Sequence, residues 1–308
     1  MAIQPEHMPT ERMPPKHMPT GAATVTGLIG WPVAHSLSPA IHDYWLRAAG
    51  IDGLYAPFPV APDRLAQAIA GLPSLGVTGA NVTVPHKTAV IPHIQTLTAT
   101  AQRLEAVNTL IVHKDGSITG DNTDAYGFAT SLKAQADMAC AEQIKENQQV
   151  MLIGAGGAAR AVLDAVLQAG YQRVVLINRT HAKAAALAQH FQQFYPQASL
   201  APVAWGERHL RLADCGLVIN TTSLGMTGHG PLEIDVSALP DHAVVADIVY
   251  APLITPLLAA ARDRGLVIVN GLDMLLYQAE AAFEAWHGIR PIVDAGLRQM
   301  ILDRLRDG

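Results

Sequence analysis

With 308 residues, 50% of them hydrophobic and 15% charged, the chain is long enough for two compact domains, each with its own core. A formal net charge of −5 argues against nucleic acid and anionic membrane surfaces as partners and points to a small molecule. Cys140 and Cys215 stand in unrelated contexts, so neither a disulfide framework nor a zinc site is expected, and the setting is a reducing, cytoplasmic one.

Residues 1–20, MAIQPEHMPTERMPPKHMPT, hold five prolines and no continuous apolar stretch. They read as a disordered extension and not as a secretory signal. His7 and His17 lie in this proline-broken arm, where nothing fixes a metal-binding geometry. No run reaches the roughly 18 apolar residues of a membrane span.

From Thr24 short apolar runs alternate with helical patterns: ATVTGLIG, SPAIHDYWLRAAG, LYAPFPV, DRLAQAIAGLPSLG and GANVTV. Strands joined by helical crossovers make a largely parallel sheet. Ser38-Pro39 marks one helix start, with Ser38 as N-cap, and Pro62-Asp63 opens the next. TLIVHKDGSITG reads as two strands about a turn at Asp115-Gly116. The polar stretch from Lys133 to Gln149 reads as a connecting helix and loop, where a domain boundary is expected.

A second series of strands and helices begins at QQVMLIGAGGAARAVLDAVLQAGYQRVVLINRT and continues through CGLVINTT, AVVADIVY and GLVIVNG. From Asp273 onward the pattern is helical apart from a break at Gly288 to Pro291. Lacking a strand of its own, this segment must pack on an existing domain. The fold class is therefore α/β with two domains: a parallel-sheet domain and a doubly wound, Rossmann-type domain.

GAGGAAR, from Gly154 to Arg160, follows the strand VMLI and opens a helix. That frame turns an otherwise weak GxGxxA pattern into a dinucleotide fingerprint, the alternative being a tight turn with no ligand. Gly154 permits the turn, Gly156 lets the backbone approach a pyrophosphate, and Ala159 allows close packing of helix on strand. The phosphates sit on the helix N-terminus, where free N–H groups and the dipole favour an anion. After the next strand comes Asn178-Arg179-Thr180, with Lys183 one turn on, where an NAD site carries an acid. Arg179 can pair bidentately with a 2′-phosphate, supported by Thr180 and Lys183, so NADP is the expected cofactor. The competing reading, cations that merely solvate a helix start, is disfavoured by the dipole.

NVTVPHK places Asn81, Thr83, His86 and Lys87 beyond the carboxyl end of a strand, where α/β sheets bind ligands. A lysine flanked by Val84 and Pro85 can act as a general acid or base if burial lowers its pKa, although most lysines are simply solvated. AVNT (residues 106–109) and GDNTDAYG (residues 120–127) add amides, hydroxyls and the carboxylate of Asp124. Asp124 paired with Lys87 would orient the ammonium and tune its proton affinity, and the spacing leaves open whether the two meet.

These motifs, with GWPVAHSLSPAIH, NTTSLGM, DIVYAPLITPLL and NGLDMLLYQAEAAFEAWHG, occur in the order found in the shikimate dehydrogenase family, which the chain resembles from about Thr24 to its end. The resemblance implies NADPH-dependent, reversible reduction of 3-dehydroshikimate to shikimate, a step toward chorismate and the aromatic amino acids. It implies a discontinuous substrate domain, residues 21–124 and 272–308, and an NADP domain, residues 125–271, with the active site between them. Lys87 and Asp124 would be catalytic. Ser36 and Ser38 would hold the substrate carboxylate with Tyr250 close by, and Asn81, Thr83, Asn108, Asp124 and Gln278 would bind the ring hydroxyls. Ala155, Gly157, Ala158, Ile248 and Gly271 would line the cofactor with the residues already named.

His42-Asp43 replaces the family's usual His-Asn, and Ala125 stands where glycine is usual. Both departures are conservative in size. The nearest rival is a quinate/shikimate dehydrogenase using NAD or both cofactors, disfavoured by Asn178-Arg179-Thr180 and by the Ser36/Ser38 pair. A non-catalytic ligand-binding homologue is disfavoured by the presence of both Lys87 and Asp124. His35 and His86 are expected to be packing or solvated residues, and no metal is expected. The assembly considered is a homodimer, and domain closure is expected about glycines such as Gly127 and Gly271.

Overall fold

A computed structural model describes residues 18–135 and 149–307. His7, His17, Cys140, most of the amino-terminal extension and most of the connecting segment after Lys133 lie outside the described residues. Among the described residues no helix is long and apolar enough to cross a membrane.

The first sheet is built from β1 (Thr24–Gly30), β2 (Gly53–Pro59), β3 (Val77–Val82), β4 (Thr96–Leu97), β5 (Thr109–Val112) and β6 (Ile118–Asp121). Its order is β2-β1-β3-β5-β6-β4. α1 (Ser38–Ala48) and α2 (Leu65–Gly71) cross over between β1, β2 and β3, which run parallel as the alternating pattern predicts. The other half differs in direction, since β5 pairs antiparallel with both β3 and β6. The β5–β6 pairing follows from the short turn at Asp115-Gly116, where Gly116 adopts φ 84° and Asp115 Oδ1 accepts from the Ser117 N–H at 2.9 Å. So short a connection permits only an antiparallel return.

The start of α1 departs from the sequence reading. Ser38 is its first helical residue and not its cap; the N-cap position falls on Leu37, which offers no capping side chain, while the Ser38 N–H donates to Ser36 Oγ at 3.2 Å. Leu37, the residue before the helix, is already in the right-handed helical region, so the helical conformation begins one residue earlier than the Ser38 cap expected from sequence.

The second sheet comprises β7 (Gln149–Ile153), β8 (Arg173–Ile177), β9 (Ser199–Val203), β10 (Cys215–Asn220), β11 (Val244–Asp247) and β12 (Val267–Val269), in the order β12-β11-β10-β7-β8-β9. Every pairing in it is parallel. Numbered from its own first strand this is the doubly wound order, with the switch point between β7 and β10. α5 (Gly157–Gln168), α6 (His181–Gln192) and α7 (Pro256–Asp263) cover its faces. The strands read as unbroken apolar runs because both faces are buried: Val150, Leu152 and Ile219 enter one cluster, Met151, Ile153 and Val218 the other.

α4 (Asp124–Gln135) leaves the first sheet and packs against both α5 and the carboxyl-terminal α8 (Leu272–His287). Gly127 makes that contact possible, since a Cβ there would lie 2.8 Å from the Gln278 backbone nitrogen and the Met274 carbonyl. α8 ends at Gly288 in the left-handed region, and after the predicted break α9 (Ala295–Asp307) follows. Both helices return to the first sheet, where Leu276, Phe283, Leu297 and Ile301 close over Ile41 and Trp45 of α1.

Asp247 closes β11 and is 2% exposed. Its Oδ1 accepts from Asn220 Nδ2 at 3.1 Å and the Val249 N–H at 3.0 Å, and its Oδ2 from Thr255 Oγ1 at 2.8 Å. Burial outweighs these three donors and pushes the carboxyl up to about 6. A raised carboxyl contributes stability that is complete below its unfolded pKa of about 4 and is lost as the pH climbs through 6. Asp247→Asn, which retains the acceptors' shape without the charge, is therefore expected to gain on the parent as pH rises from 4 to 7. The difference should approach about 3 kcal/mol at most. Thermal denaturation of both proteins across that range measures it, and a difference independent of pH would refute the account.

Candidate active site

β3 carries Asn81, and the chain beyond it turns through Thr83 and His86 to Lys87. The turn is pinned from three sides. Thr83 N–H donates to Ile29 O at 2.9 Å, Val107 N–H donates to Lys87 O at 2.8 Å, and His86 Nε2 lies 2.7 Å from Val60 O. His86 is buried and serves as the expected packing residue, while His35 is exposed.

Lys87 Nζ forms an ion pair with Asp124 Oδ2, the lysine side chain being 21% exposed and the carboxylate 8%. The pairing that spacing left open is thus present. Asp124 is the first residue of α4, where the helix dipole favours its negative charge, and its N–H donates to Asn122 Oδ1 at 3.0 Å. Its second oxygen accepts from Asn108 Nδ2 at 2.8 Å. Asn108 Nδ2 also faces Thr123 Oγ1 at 3.0 Å and Gln278 Oε1 at 3.4 Å, and Asn108 Oδ1 accepts from the Thr123 N–H at 2.8 Å. Four separate stretches of sequence meet here.

Beneath them Asn81 is held by protein on both sides of its amide: its Oδ1 accepts from Tyr55 OH at 2.8 Å, and its Nδ2 donates to Asn108 O at 3.1 Å and Thr109 Oγ1 at 3.3 Å. Asn81 therefore acts first as a strut under Asn108. Burial holds the Tyr55 phenol far above its ordinary pKa, opposed by a hydrogen bond with Ser38, so Tyr55 links Ser38 to this floor as a neutral hydroxyl. Ser36 and Thr83 are half-buried. Tyr250, after β11, joins the apolar cluster of Ile41 and Leu276, and its hydroxyl is raised by burial. Sequence reading singled out neither Tyr55 nor Thr123, although Thr123 stands inside the GDNTDAYG motif. Tyr55 lies in an ordinary strand pattern that gave no signal.

Across from Lys87 lies the glycine-rich turn: a Cβ on Gly157 would come within 4.0 Å of Lys87 Cδ. Gly154 adopts φ 120°, and a side chain there would strike Thr221 Oγ1 at 2.3 Å, so only glycine meets both constraints. A Cβ on Gly156, the residue before α5, would meet nothing within 4 Å, which leaves the helix N-terminus open to a phosphate. Ala159 is fully buried, as close helix packing requires. Gly271 sits so near the Ile248 carbonyl that a Cβ there would lie 2.2 Å from it, bringing the loop after β11 against the start of α8.

A pocket of about 300 Å³ joins Gly154, Ala155 and Gly156 to Asn178, Arg179, Thr180 and Lys183, with Trp205 and residues 221–224 completing the wall. No acidic residue lines it, and among the described residues neither Arg179 nor Lys183 has an ion-pair partner. An open helix end with two uncommitted cations fits a dinucleotide bearing an extra phosphate. Trp205 is a further liner that the sequence reading passed over.

Family models match three parts of the chain: "Shikimate dehydrogenase substrate binding domain" over residues 28–110, "Shikimate / quinate 5-dehydrogenase" over residues 138–223, and "Shikimate 5'-dehydrogenase C-terminal domain" over residues 271–300. A shikimate dehydrogenase (NADP(+)) of Rhodospirillum rubrum is 46% identical over 287 residues, 93% of this chain and 100% of the relative. A crystal structure of a shikimate dehydrogenase in complex with NADP+ superposes with a TM-score of 0.86 at 32% identity, covering 95% of this chain and 99% of that one. A quinate dehydrogenase from Corynebacterium glutamicum in complex with NAD gives 0.82 at 30% identity, covering 91% and 99%. Matches of this extent and identity, over a chain whose motifs occupy one cleft, place it plainly: this chain belongs to the shikimate dehydrogenase family.

Proposed function

We infer that the chain catalyses the reversible, NADPH-dependent reduction of 3-dehydroshikimate to shikimate, on the route to chorismate and the aromatic amino acids. The observation that carries this reading is the Lys87–Asp124 pair facing the glycine-rich turn. When bound, NADPH supplies the hydride. Lys87 Nζ gives its proton to the oxygen that was the substrate's carbonyl and stabilises the charge that develops there. In the oxidative direction it takes the proton back. Asp124 keeps the ammonium oriented through Oδ2, while Asn108 fixes Oδ1. Groups so closely coupled titrate together, so the acid is best described as the pair.

The remaining roles follow from chemistry and position. Asn108, Asp124 and Gln278 converge within hydrogen-bond reach and suit adjacent ring hydroxyls, each of which would cost about 1–3 kcal/mol if buried unpaired. Thr83, two residues beyond Asn81, is assigned to the same hydroxyls, Asn81 braces Asn108, and Ser36, Ser38 and Tyr250 receive the carboxylate. The cofactor's adenosine half enters through Arg179, Thr180 and Lys183 with Asn178, its pyrophosphate lies on residues 154–158, and Ile248 and Gly271 border the nicotinamide end. The division into a substrate domain (residues 21–124 and 272–308) and an NADP domain (residues 125–271) is supported by the two sheets and by the return of α8 and α9 to α1. Gly127 and Gly271 both lie at tight packing contacts, which supports a role in close approach of the domains more directly than one as hinges. A cytoplasmic homodimer completes the reading; exposed Leu54 on edge strand β2 offers apolar surface to a second copy, and sedimentation equilibrium tests it.

Reduction of NADP by shikimate, followed at the nicotinamide band, tests the central reading, with quinate and NAD as the alternative substrate and cofactor. Fast turnover with shikimate and NADP alone is expected; turnover of quinate with NAD would favour the quinate dehydrogenase reading. Lys87→Ala should lower kcat by about 10²–10⁴, while shikimate binding, measured by calorimetry, survives. Loss of binding together with rate would contradict the assignment of Lys87 to the chemical step.

Arg179→Glu places an acid where the 2′-phosphate is expected. KM for NADP should rise by roughly 10- to 100-fold, the worth of one charge-assisted hydrogen bond, while KM for NAD stays level or falls. Equal changes for both cofactors would show that Arg179 does not read the phosphate.

A further inference from the structure

The nucleotide pocket is walled mainly by small or polar residues: the glycine turn, the Asn178–Thr180 loop, Lys183 and residues 221–223. Two large apolar side chains interrupt this lining, Trp205 and Leu224. Trp205 follows β9 and opens a run of 3₁₀ turns, Trp205–Asp214. Its indole is held by two contacts. It packs against the cluster containing Ile153, Ile177 and Val203, the last residues of β7, β8 and β9. The Arg208 guanidinium lies over the ring, 4.7 Å from its centroid. Arg208 is itself tethered, with Nε donating to Glu233 O at 3.0 Å and Nη1 to Trp205 O at 2.9 Å.

Position assigns this wall to one half of the dinucleotide. Arg179 and Lys183 fix the phosphorylated ribose at the same pocket, and Lys87 fixes the reacting end on the far side of Gly157. The ring within reach of Trp205 is therefore the base of the adenosine half. A purine carries apolar faces that the polar remainder of the pocket cannot cover, and an immobilised indole covers them without loss of side-chain freedom. We propose that Trp205 is the platform against which the adenine of the cofactor packs, with Arg208 as the positioning residue that holds the indole in place. This rests on the NADP reading of the pocket given above.

The test uses the full chain and adenosine 2′,5′-bisphosphate, which has the base and the 2′-phosphate but no nicotinamide. Tryptophan emission is followed during titration and affinity is measured by calorimetry, for the parent, Trp205→Phe and Trp205→Leu. Binding to the parent should quench emission, and the quench should vanish in Trp205→Phe, leaving signal from Trp31, Trp45 and Trp286 unchanged. Affinity should stay within about threefold in Trp205→Phe, which keeps an aromatic face, and fall about tenfold in Trp205→Leu. Arg208→Leu should weaken binding by a smaller factor and reduce the quench, because the indole is no longer held.

An unweakened Trp205→Leu protein, or a quench that persists in Trp205→Phe, overturns the proposal while leaving NADP binding intact. Should Trp205→Leu fail to fold, the presence or loss of the quench in Trp205→Phe decides the matter alone. Failure of the parent to bind the bisphosphate would overturn the NADP reading itself, an outcome separable from the first.

Discussion

Lys87 follows the third strand of the first sheet and Asp124 its last, and the ion pair between them ties the turn after β3 to the first residue of α4. Its strength as a constraint comes from burial. The carboxylate is largely withdrawn from water, so it must be met by donors, and it is met by the ammonium on one oxygen and Asn108 on the other. Asn108 in turn is braced by Asn81 and Thr123, and Asn81 by Tyr55. Moving any member leaves a buried polar group unpaired at a cost of about 1–3 kcal/mol. The polar floor of the cleft thus has one low-energy arrangement, and that arrangement aims the lysine at the glycine-rich turn.

A second polar cluster fixes how the two sheets face each other. α3 (Ala99–Leu104), which belongs to the first sheet, reaches α5 of the second through Arg103, whose Nε and Nη2 donate to the two oxygens of Asp164 at 2.6 and 2.8 Å. Asp164 is 0% exposed, and Tyr195 OH and Gln168 Nε2 complete its shell at 2.6 Å each. Beside it Arg160, the last residue of the glycine motif, bonds Glu105 and the Leu104 carbonyl. Leu104 is only four residues before Asn108. The docking of the two sheets and the placement of the Asn108 amide are consequently one mechanical problem, solved within a single short helix and the turn that follows it.

Much of this was legible beforehand because it is local. The parallel run β1, β2 and β3, the doubly wound second sheet, the hairpin at Asp115-Gly116 and the Gly154 turn each follow from patterns within a few residues, where backbone sterics and hydrophobic period act directly. The cap of α1 was misplaced by one residue, since the helical backbone already begins at Leu37. Tyr55 and Trp205 escaped notice for another reason. Each is an aromatic residue in a plain strand or loop pattern, and its importance arises from what lies opposite it in space.

By itself the sequence determined the element types, the position of the glycine-rich turn, the absence of an acid after β8 and the set of polar residues available to the cleft, all properties carried by neighbouring residues. Only the tertiary structure decided that Lys87 meets Asp124, that Asn81 is a strut under Asn108, that Gln278 from the carboxyl-terminal helix reaches the same amide, and that Trp205 shares a pocket with Arg179. Those contacts join residues far apart in the chain, and chain connectivity places no restriction on them until hydrophobic burial of both sheets and both carboxyl-terminal helices has brought the segments together.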